Sequence, residues 1–437
     1  MSSDLLIELL QAVDAPQARN AELERYLTGR QPLAYISPES RKALGNRLNT
    51  LAVNIPSLVV ASIVERLRVS GFSDPRAWKL FVDADLDVLT AQAFSDALAF
   101  GTGYILVWQK NGRPVASVED PFQCAVLRDP ADRSVIAGVK RYRTKDSTEA
   151  FIYLADRVEH WRASSPGAGA GFALVETIDH DLGTVPLVPI DNGHSEITAV
   201  APLVDALNKL TLDLMIASEA AGKPRRWISG LELVERQRLN DDGTPVLDGD
   251  GLPVIDVVSP IDDINTIQTM VSENPETKFG QLPASDLGGF KDGVQIIVSQ
   301  IMAVSALPSH YLGILSNQPT SADALRASEA ALTARAEARQ LTFSRPLEQV
   351  GRLLIAVDTG THPDDIPLRV QWAEAATRST AQEADAVVKL YQAGLLPASY
   401  ALAKLGYTDD QIAQIRAAKR AETLDAQGIG LTVGNDE

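Results

Sequence analysis

The chain has 437 residues, 45% apolar and 22% charged, with a formal charge of −17 and one cysteine, Cys124. This length and apolar share bury a core over about two to four domains and exclude a disordered chain. A single cysteine excludes an intramolecular disulfide and suits a reducing compartment. The acidic balance argues against a broad basic face that grips phosphates; it reads as ordinary solubility charge, and it also permits a conduit along which a duplex slides without sticking. The first residues, Met1-Ser2-Ser3-Asp4, carry an acid where a signal peptide carries bases, and the most apolar run, 55–64, is too short to span a bilayer. No membrane partner is expected.

Residues 4–70 read as helical. Leu5, Leu6, Leu9, Leu10 and Val13 share one face, 22–26 continues the pattern, and Thr28-Gly29-Arg30-Gln31-Pro32 stops it. A second helical block, 40–68, is divided in two by Pro56, and 85–100 is a further helix. The period then shortens to that of strands. Segments 104–108, 115–118, 135–142, 151–154, 158–162 and 172–177 are short β-branched or aromatic runs between turn residues. Asn111-Gly112 predicts a type I′ hairpin between the first two, because that pair tolerates positive φ. The expectation is an antiparallel sheet attached to helices.

After Pro186-Leu187-Val188-Pro189 the helical period returns, with Leu203, Val204, Leu207, Leu210, Leu214 and Ala217 on one stripe that ends near Gly222-Lys223-Pro224. Residues 225–285 hold strand-like pieces, 226–228 and 254–258, around turns at 240–251. A helix over 293–304 leads to the loop Leu307-Pro308-Ser309-His310-Tyr311-Leu312-Gly313 and the polar bridge Asn317-Gln318-Pro319-Thr320. Thr320 and Asp323 form a T-x-x-D capping box that starts a helix of roughly 35 residues, ~50 Å long, which Pro346 should kink. Eight alanines between Ala322 and Ala338 allow close approach of other backbones, with Leu325, Leu332, Leu341 and Phe343 as larger anchors. Such a helix suits a ring or bundle of subunits better than an enzyme core. Three helices close the chain: 381–393 ended by Gly394, 399–405 ended by Gly406, and one capped by Thr408 and Gln411 that runs to about 422. Residues 428–437 are expected to fray.

No catalytic residue is indicated. The chain lacks the G-x-x-x-x-G-K-[ST] loop that a nucleotide-hydrolysing motor requires. Ser195 beside His194, with His180 and Asp181 nearby, lacks the second glycine of a nucleophile elbow. His160, His180, His194, His310 and His362 are scattered without metal-ligand spacing, so neither a metal nor a cofactor is expected. The acids from Asp241 to Asp250 lack the full D-x-[DN]-x-[DN]-G run and the twelfth-position glutamate of a calcium loop, and read as hairpin turns.

Several short pieces recur in a telling order. They are Asn54 with Val64, Arg66 and Gly71-Phe72; Ala99-Phe100-Gly101-Thr102-Gly103-Tyr104; and His180-Asp181-Leu182-Gly183-Thr184-Val185-Pro186. Gly193-His194-Ser195-Glu196-Ile197 and Lys223-Pro224-Arg225-Arg226 before Gly230 follow. Tyr311-Leu312-Gly313 with Ser321-Ala322-Asp323-Ala324-Leu325, and Gln371-Trp372-Ala373-Glu374, complete the series. In order and spacing these resemble the portal proteins of tailed bacteriophages with long tails, over about residues 26–418.

The resemblance implies an α+β, mostly helical portal fold and a ring, usually of twelve subunits, at one capsid vertex. Such a ring is a channel for DNA packaging and ejection and a docking platform, not a catalyst. Its partners would be further copies of itself, double-stranded DNA in transit, the terminase, the head-tail connector and the major capsid or scaffolding protein. It would assemble in the host cytoplasm and reside in the virion. Carried onto this sequence, 1–198 form the wing, 199–222 and 287–306 the stem helices, and 223–286 a small α+β clip. Residues 307–320 form the channel loop, 321–376 the long kinked helix and return to the wing, and 377–437 the crown and a flexible tail. Twelve copies at −17 each carry about −200.

Within this scheme His310, Asn317, Gln318 and Thr320 are the channel-loop contacts. Residues 308–320 contain no Lys or Arg, so the loop offers steric or weak hydrogen-bonding contacts, not a ring of cations. Lys223, Arg225 and Arg226 form a basic cluster that either faces phosphates or pairs with acids of the clip. Arg416, Lys419 and Arg420 read as a solvated helix face that complements a C-terminal dipole. Leu325, Leu332, Phe343 and Pro346 are expected to pack the ring. The other reading is an oligomeric structural adaptor or scaffold without a DNA channel.

Overall fold

The computed structural model describes residues 2–33, 52–222, 226–229, 234–258, 269–272, 280–281, 287–313, 322–376, 380–407 and 409–432. Helices α1 (Ser2–Asp14) and α2 (Gln17–Leu27) open the chain, followed by α3 (Ile55–Val64). Asn54 caps α3, its Oδ1 accepting the Ser57 amide at 3.4 Å. Pro56 therefore lies in the first turn, where its missing N–H costs nothing and a helix begins; the first part of the block expected over 40–68, up to residue 51, lies outside the described residues. Next come β1 (Val69–Phe72), α4 (Pro75–Asp83) and α5 (Leu86–Phe100), of which β1 and α4 were not expected. Strand β1 is too short to show a period without the partner that covers it, whereas α4 carried a local start signal in Asp74-Pro75, the Asp74 carboxylate accepting the Arg76 amide at 2.9 Å. Gly101 ends α5 at φ 101°, donating to the Ala97 carbonyl at 2.9 Å. A Cβ on Gly103 would lie 2.3 Å from the Ala93 carbonyl oxygen, so strand and helix cross there at backbone distance.

The strand region holds two sheets, which corrects the expectation of one. Strands β2 (Thr102–Lys110), β3 (Arg113–Glu119) and β9 (Leu187–Asp191) form an antiparallel sheet in the order β3-β2-β9. Asn111 and Gly112 link β2 to β3 with φ of 53° and 75°, as expected of the hairpin. Strand β9 escaped the sequence reading because Pro189 interrupts it; an edge position tolerates the missing donor. The second sheet is an antiparallel meander of β4 (Cys124–Arg128), β5 (Val135–Arg143), β6 (Thr148–Tyr153), β7 (Arg157–Ala163) and β8 (Ala173–Asp179). Leu6, Leu9, Leu10 and Val13 of α1 pack on one of its faces, against Ala137, Val139, Ala150 and Ile152. Its other face meets the smaller sheet through Tyr104, Tyr153, Val158 and Leu187.

Helix α6 (Glu196–Gly222) and helix α7 (Gly288–Ser305) pack together through Val204, Leu207 and Ile301. Between them lie β10 (Arg226–Ser229), β11 (Val234–Gln237), β12 (Ile255–Val258), β13 (Thr269–Ser272) and β14 (Gly280–Gln281). Strand β10 runs parallel to β13 and antiparallel to β14, and β11 pairs with β12. At the tip beyond β11, Arg238, Val246 and Val254 close a triangle of backbone hydrogen bonds of 2.8–2.9 Å. Two turns project from this triangle, with Gly243 at φ 83° and Gly251 at φ 81°. The carboxylates of Asp242 and Asp248 accept backbone amides within these turns, as hairpin turns require.

Helix α8 (Ala322–Thr359) is 38 residues long and runs through Pro346 as one element. Its second half is the centre of the molecule. Phe343, Leu347, Val350, Leu353 and Leu354 join Phe72, Phe81, Phe94 and Leu98 in the largest core cluster. The Phe94 and Phe343 rings stack at 5.4 Å. The chain returns through β15 (Val370–Trp372), antiparallel to β1, where the Trp372 indole donates to Ser344 Oγ at 2.9 Å. Three helices end the chain: α9 (Thr380–Gln392), α10 (Ala398–Lys404) and α11 (Asp409–Thr432). Helix α11 passes beyond residue 422 and through Gly428 and Gly430, where fraying was expected.

Candidate functional site

The loop that leaves α7 and the start of α8 are held by charged side chains. Ala306 ends α7 in the left-handed region, and Ser309–Leu312 forms a 3-10 turn. Its Tyr311 hydroxyl accepts from Arg66 at 3.2 Å, and Arg66 also donates to Glu329 of α8 at 3.1 Å and to the Ser62 carbonyl at 3.0 Å. His310 Nε2 lies 3.3 Å from the other Glu329 oxygen. Arg66 and Glu329 are 8% and 7% exposed at their side chains, so this pair works at low dielectric, where losing one partner is costly. The Arg66 carbonyl in turn accepts from Gln340 at 3.1 Å, which ties α3 to α8 a second time.

One helical turn and a half further along α8, Arg335 donates to the carbonyls of Val304 and Ser305 at 2.9 and 3.1 Å. A cation thus meets the C-terminal end of α7, where the helix dipole is negative. Arg339 donates to Glu196 at 2.6 Å, and Glu196 stands in the first turn of α6, where a negative charge is favoured. Arg335 and Arg339, four residues apart, share one face of α8 and so lock it to both packed helices. Ser195 is 1% exposed, and its hydroxyl oxygen accepts the Ile197 amide at 3.1 Å: it caps α6. Asn192 donates to the His194 carbonyl at 2.7 Å and completes the corner. These bonds account for the Gly193-to-Ile197 motif without any hydrolytic chemistry.

The sequence-selected residues separate into three groups. Asn317, Gln318, Thr320, Lys223 and Arg225 lie outside the described residues, as does the Thr320 cap; Arg226 begins β10. His310 is described, and it faces Glu329 and leans on Tyr311 at a ring distance of 4.9 Å. Leu332 and Phe343 are 0% exposed within a single chain, which corrects their assignment to subunit packing: no surface of theirs is left for a neighbour. Leu325 and Pro346 are half-buried. Sequence reasoning missed the clasp of Arg66, Tyr311 and Glu329 because its members are separated by up to 263 residues.

Among the described residues no group of three or more metal-ligating side chains comes together, and no helix is long and apolar enough to cross a membrane. The polar side chains of this region set helices in place. A family model described as phage portal protein, SPP1 Gp6-like, matches residues 12–424. The chain belongs to this family of phage portal proteins, a structural and non-enzymatic one. It is 26% identical over 412 residues to the portal proteins of Mycobacterium phages L5 and D29, covering 87% of this chain and 80% of each relative. Among solved structures it is similar to a chain of the native gene transfer agent virion, at 14% identity and a TM-score of 0.41 over 89% of this chain and 93% of that one. A chain in the neck of the empty particle, computed with C6 symmetry, gives 14% identity and a TM-score of 0.45 over the same shares.

Proposed function

We propose that this portal protein forms a closed homo-oligomeric ring, of twelve subunits in the virion, at one capsid vertex. Double-stranded DNA passes through its axis during packaging and ejection. The terminase docks on the ring during filling and a head-tail connector afterwards, while the major capsid or scaffolding protein surrounds it; assembly takes place in the host cytoplasm. The observation that carries this reading is the family match across residues 12–424.

The fold supports a division of labour. Residues 1–198 with the return strand β15 act as the wing, α6 and α7 as the stem, and 223–286 as the clip. Among the described residues the clip shows strands; residues 223–225, 230–233, 259–268, 273–279 and 282–286 of the expected α+β clip lie outside them. Residues 307–320 act as the channel loop, with Asn317, Gln318 and Thr320 as its contact residues. His310 serves at the loop's base, through Glu329, and the Arg66–Glu329 pair keeps that base aligned with α8. Lys223, Arg225 and Arg226 sit at the junction of stem and clip, and 377–437 act as the crown.

Electron microscopy of the purified full chain, viewed down any symmetry axis, tests the reading. Rings with a hole wider than the ~20 Å of a duplex, an estimate from groove dimensions, are expected. A compact dimer without a hole would replace the portal ring by an adaptor that never surrounds DNA.

A further inference from the structure

The C-terminal helices bury little of what they carry. Among their described residues only Val387, Ala401 and Ile412 are buried apolar side chains, whereas Val388, Leu390, Tyr391, Leu395, Tyr400, Leu405 and Tyr407 are exposed, Leu395 by 70% and Tyr400 by 53%. A unit of this size with so small a core stabilises itself only weakly, and apolar surface of this kind marks a contact with another body. Three of them, Val388, Tyr391 and Leu405, border a groove of about 250 Å³ between α9, α10 and α11. Val388, Tyr391, Leu402 and Ile415 line it, and Arg416 and Lys419 of α11 stand along one wall.

The face of α11 turned away from this groove has the opposite character. Asp410, Gln414, Ala417 and Ala421 follow one another at helical spacing and are all exposed. This face is narrow, since its alanines project no bulk, and it carries an acid where the groove carries bases. Front and back of the same helix carry opposite charges, Arg416 and Lys419 against Asp410, so the two surfaces match between copies and not within one. A contact between different surfaces of identical chains is head-to-tail, the type that closes into a ring when the rotation permits.

We infer that the groove between α9, α10 and α11 receives the back of α11 from a second copy of this chain, with Asp410 of that copy set against the Arg416 and Lys419 wall. The inference rests on the ring reading and specifies which surfaces of the crown meet. It also gives Arg416 and Lys419 a role beyond a solvated helix face.

The test is oxidative cross-linking of the full chain carrying Leu405→Cys and Ala417→Cys, with each single variant as control. Cys124 is buried and stays in place. The expected result is a ladder of covalent oligomers from the double variant, reaching the size of the ring, and no ladder from either single variant. Asp410→Lys in that background should cut the ladder several-fold, and adding Lys419→Asp should restore it. Microscopy of the same samples separates the possible failures. Rings without a ladder, or a ladder indifferent to both charge reversals, would overturn this interface and leave the ring standing. A cross-linked dimer and nothing larger would show a symmetric contact and overturn the head-to-tail arrangement. Particles with no ring before oxidation would overturn the ring reading together with this inference.

Discussion

The two halves of α8 are held by different forces. From Ala322 to Gln340, apart from the buried Leu332 and Ala336, helix α8 is held by polar contacts: Glu329 meets Arg66 and His310, Arg335 meets the last carbonyls of α7, and Arg339 meets Glu196. From Phe343 onward apolar burial dominates, with Leu347, Val350, Leu353 and Leu354 inside the main core beside the Ser344 and Glu348 contacts to Trp372 and Arg369. Apolar burial is non-directional and supplies most of the stability, while charged hydrogen bonds demand one geometry and set register. The second half therefore stabilises the subunit, and the first half aims the helix ends and the loop between α7 and α8.

Replacing Phe343 with Ala should have the largest effect, because it removes a fully buried ring stacked on Phe94 and leaves a cavity. A loss of about 3–5 kcal/mol is expected in denaturant unfolding. A loss under about 1 kcal/mol would mean that the second half is not the stabilising one. Glu329→Gln should cost less, about 1–3 kcal/mol, since the amide keeps a hydrogen bond to Arg66 but leaves its charge uncompensated. Its sharper readout is hydrogen exchange at residues 309–313, which should accelerate while the core amides stay protected. Equal acceleration in both places would erase the distinction between the halves.

A pH series adds a test from the partner helix. Burial pushes the Asp96 carboxyl from its ordinary value of 3.8 up to about 7, with the Gln92 hydrogen bond opposing and the nearby Asp120 adding to the rise. For an acid whose folded value is raised, the protonated form favours the fold. The stabilisation is complete below about 3.8 and is lost as the pH rises through about 7. Asp96→Asn should therefore gain stability relative to the parent between these limits and level off above them. A difference that stays flat with pH would deny the burial of the charge. The smallest effect is expected from Ser195→Ala, which removes one α6 cap at about 1 kcal/mol with no change of assembly. A larger loss, or an altered ring, would mean that the corner below Arg339 does more than start a helix.

The parts of the fold legible in the sequence are those whose signal is local. The alanine-rich helix, the Asn111-Gly112 hairpin, the meander strands β5 to β8 and the glycine ends of α9 and α10 were readable from a few adjacent residues, whereas the short β4 was not. The missing pieces depended on partners far along the chain. Strand β1 is a strand because β15, about 300 residues away, pairs with it. Likewise Leu332 and Phe343 read as ring anchors until their burial within one subunit was seen. Periodicity tells which residues are apolar on one face; it does not say whose surface covers that face.

The sequence by itself determined the family, through short motifs in a set order, and it determined the absence of a nucleotide-binding loop and of clustered cations in 308–320. Only the tertiary structure decided what those motifs do. Gly101 and Gly103 end a helix and admit a close crossing, Ser195 and Glu196 start α6 and anchor α8, and Tyr311 and Arg66 fasten the loop to Glu329. The reason is physical: a capping residue or a glycine acts on its neighbours in sequence, whereas a buried ion pair exists only where folding brings two distant charges within about 3 Å and removes the water between them.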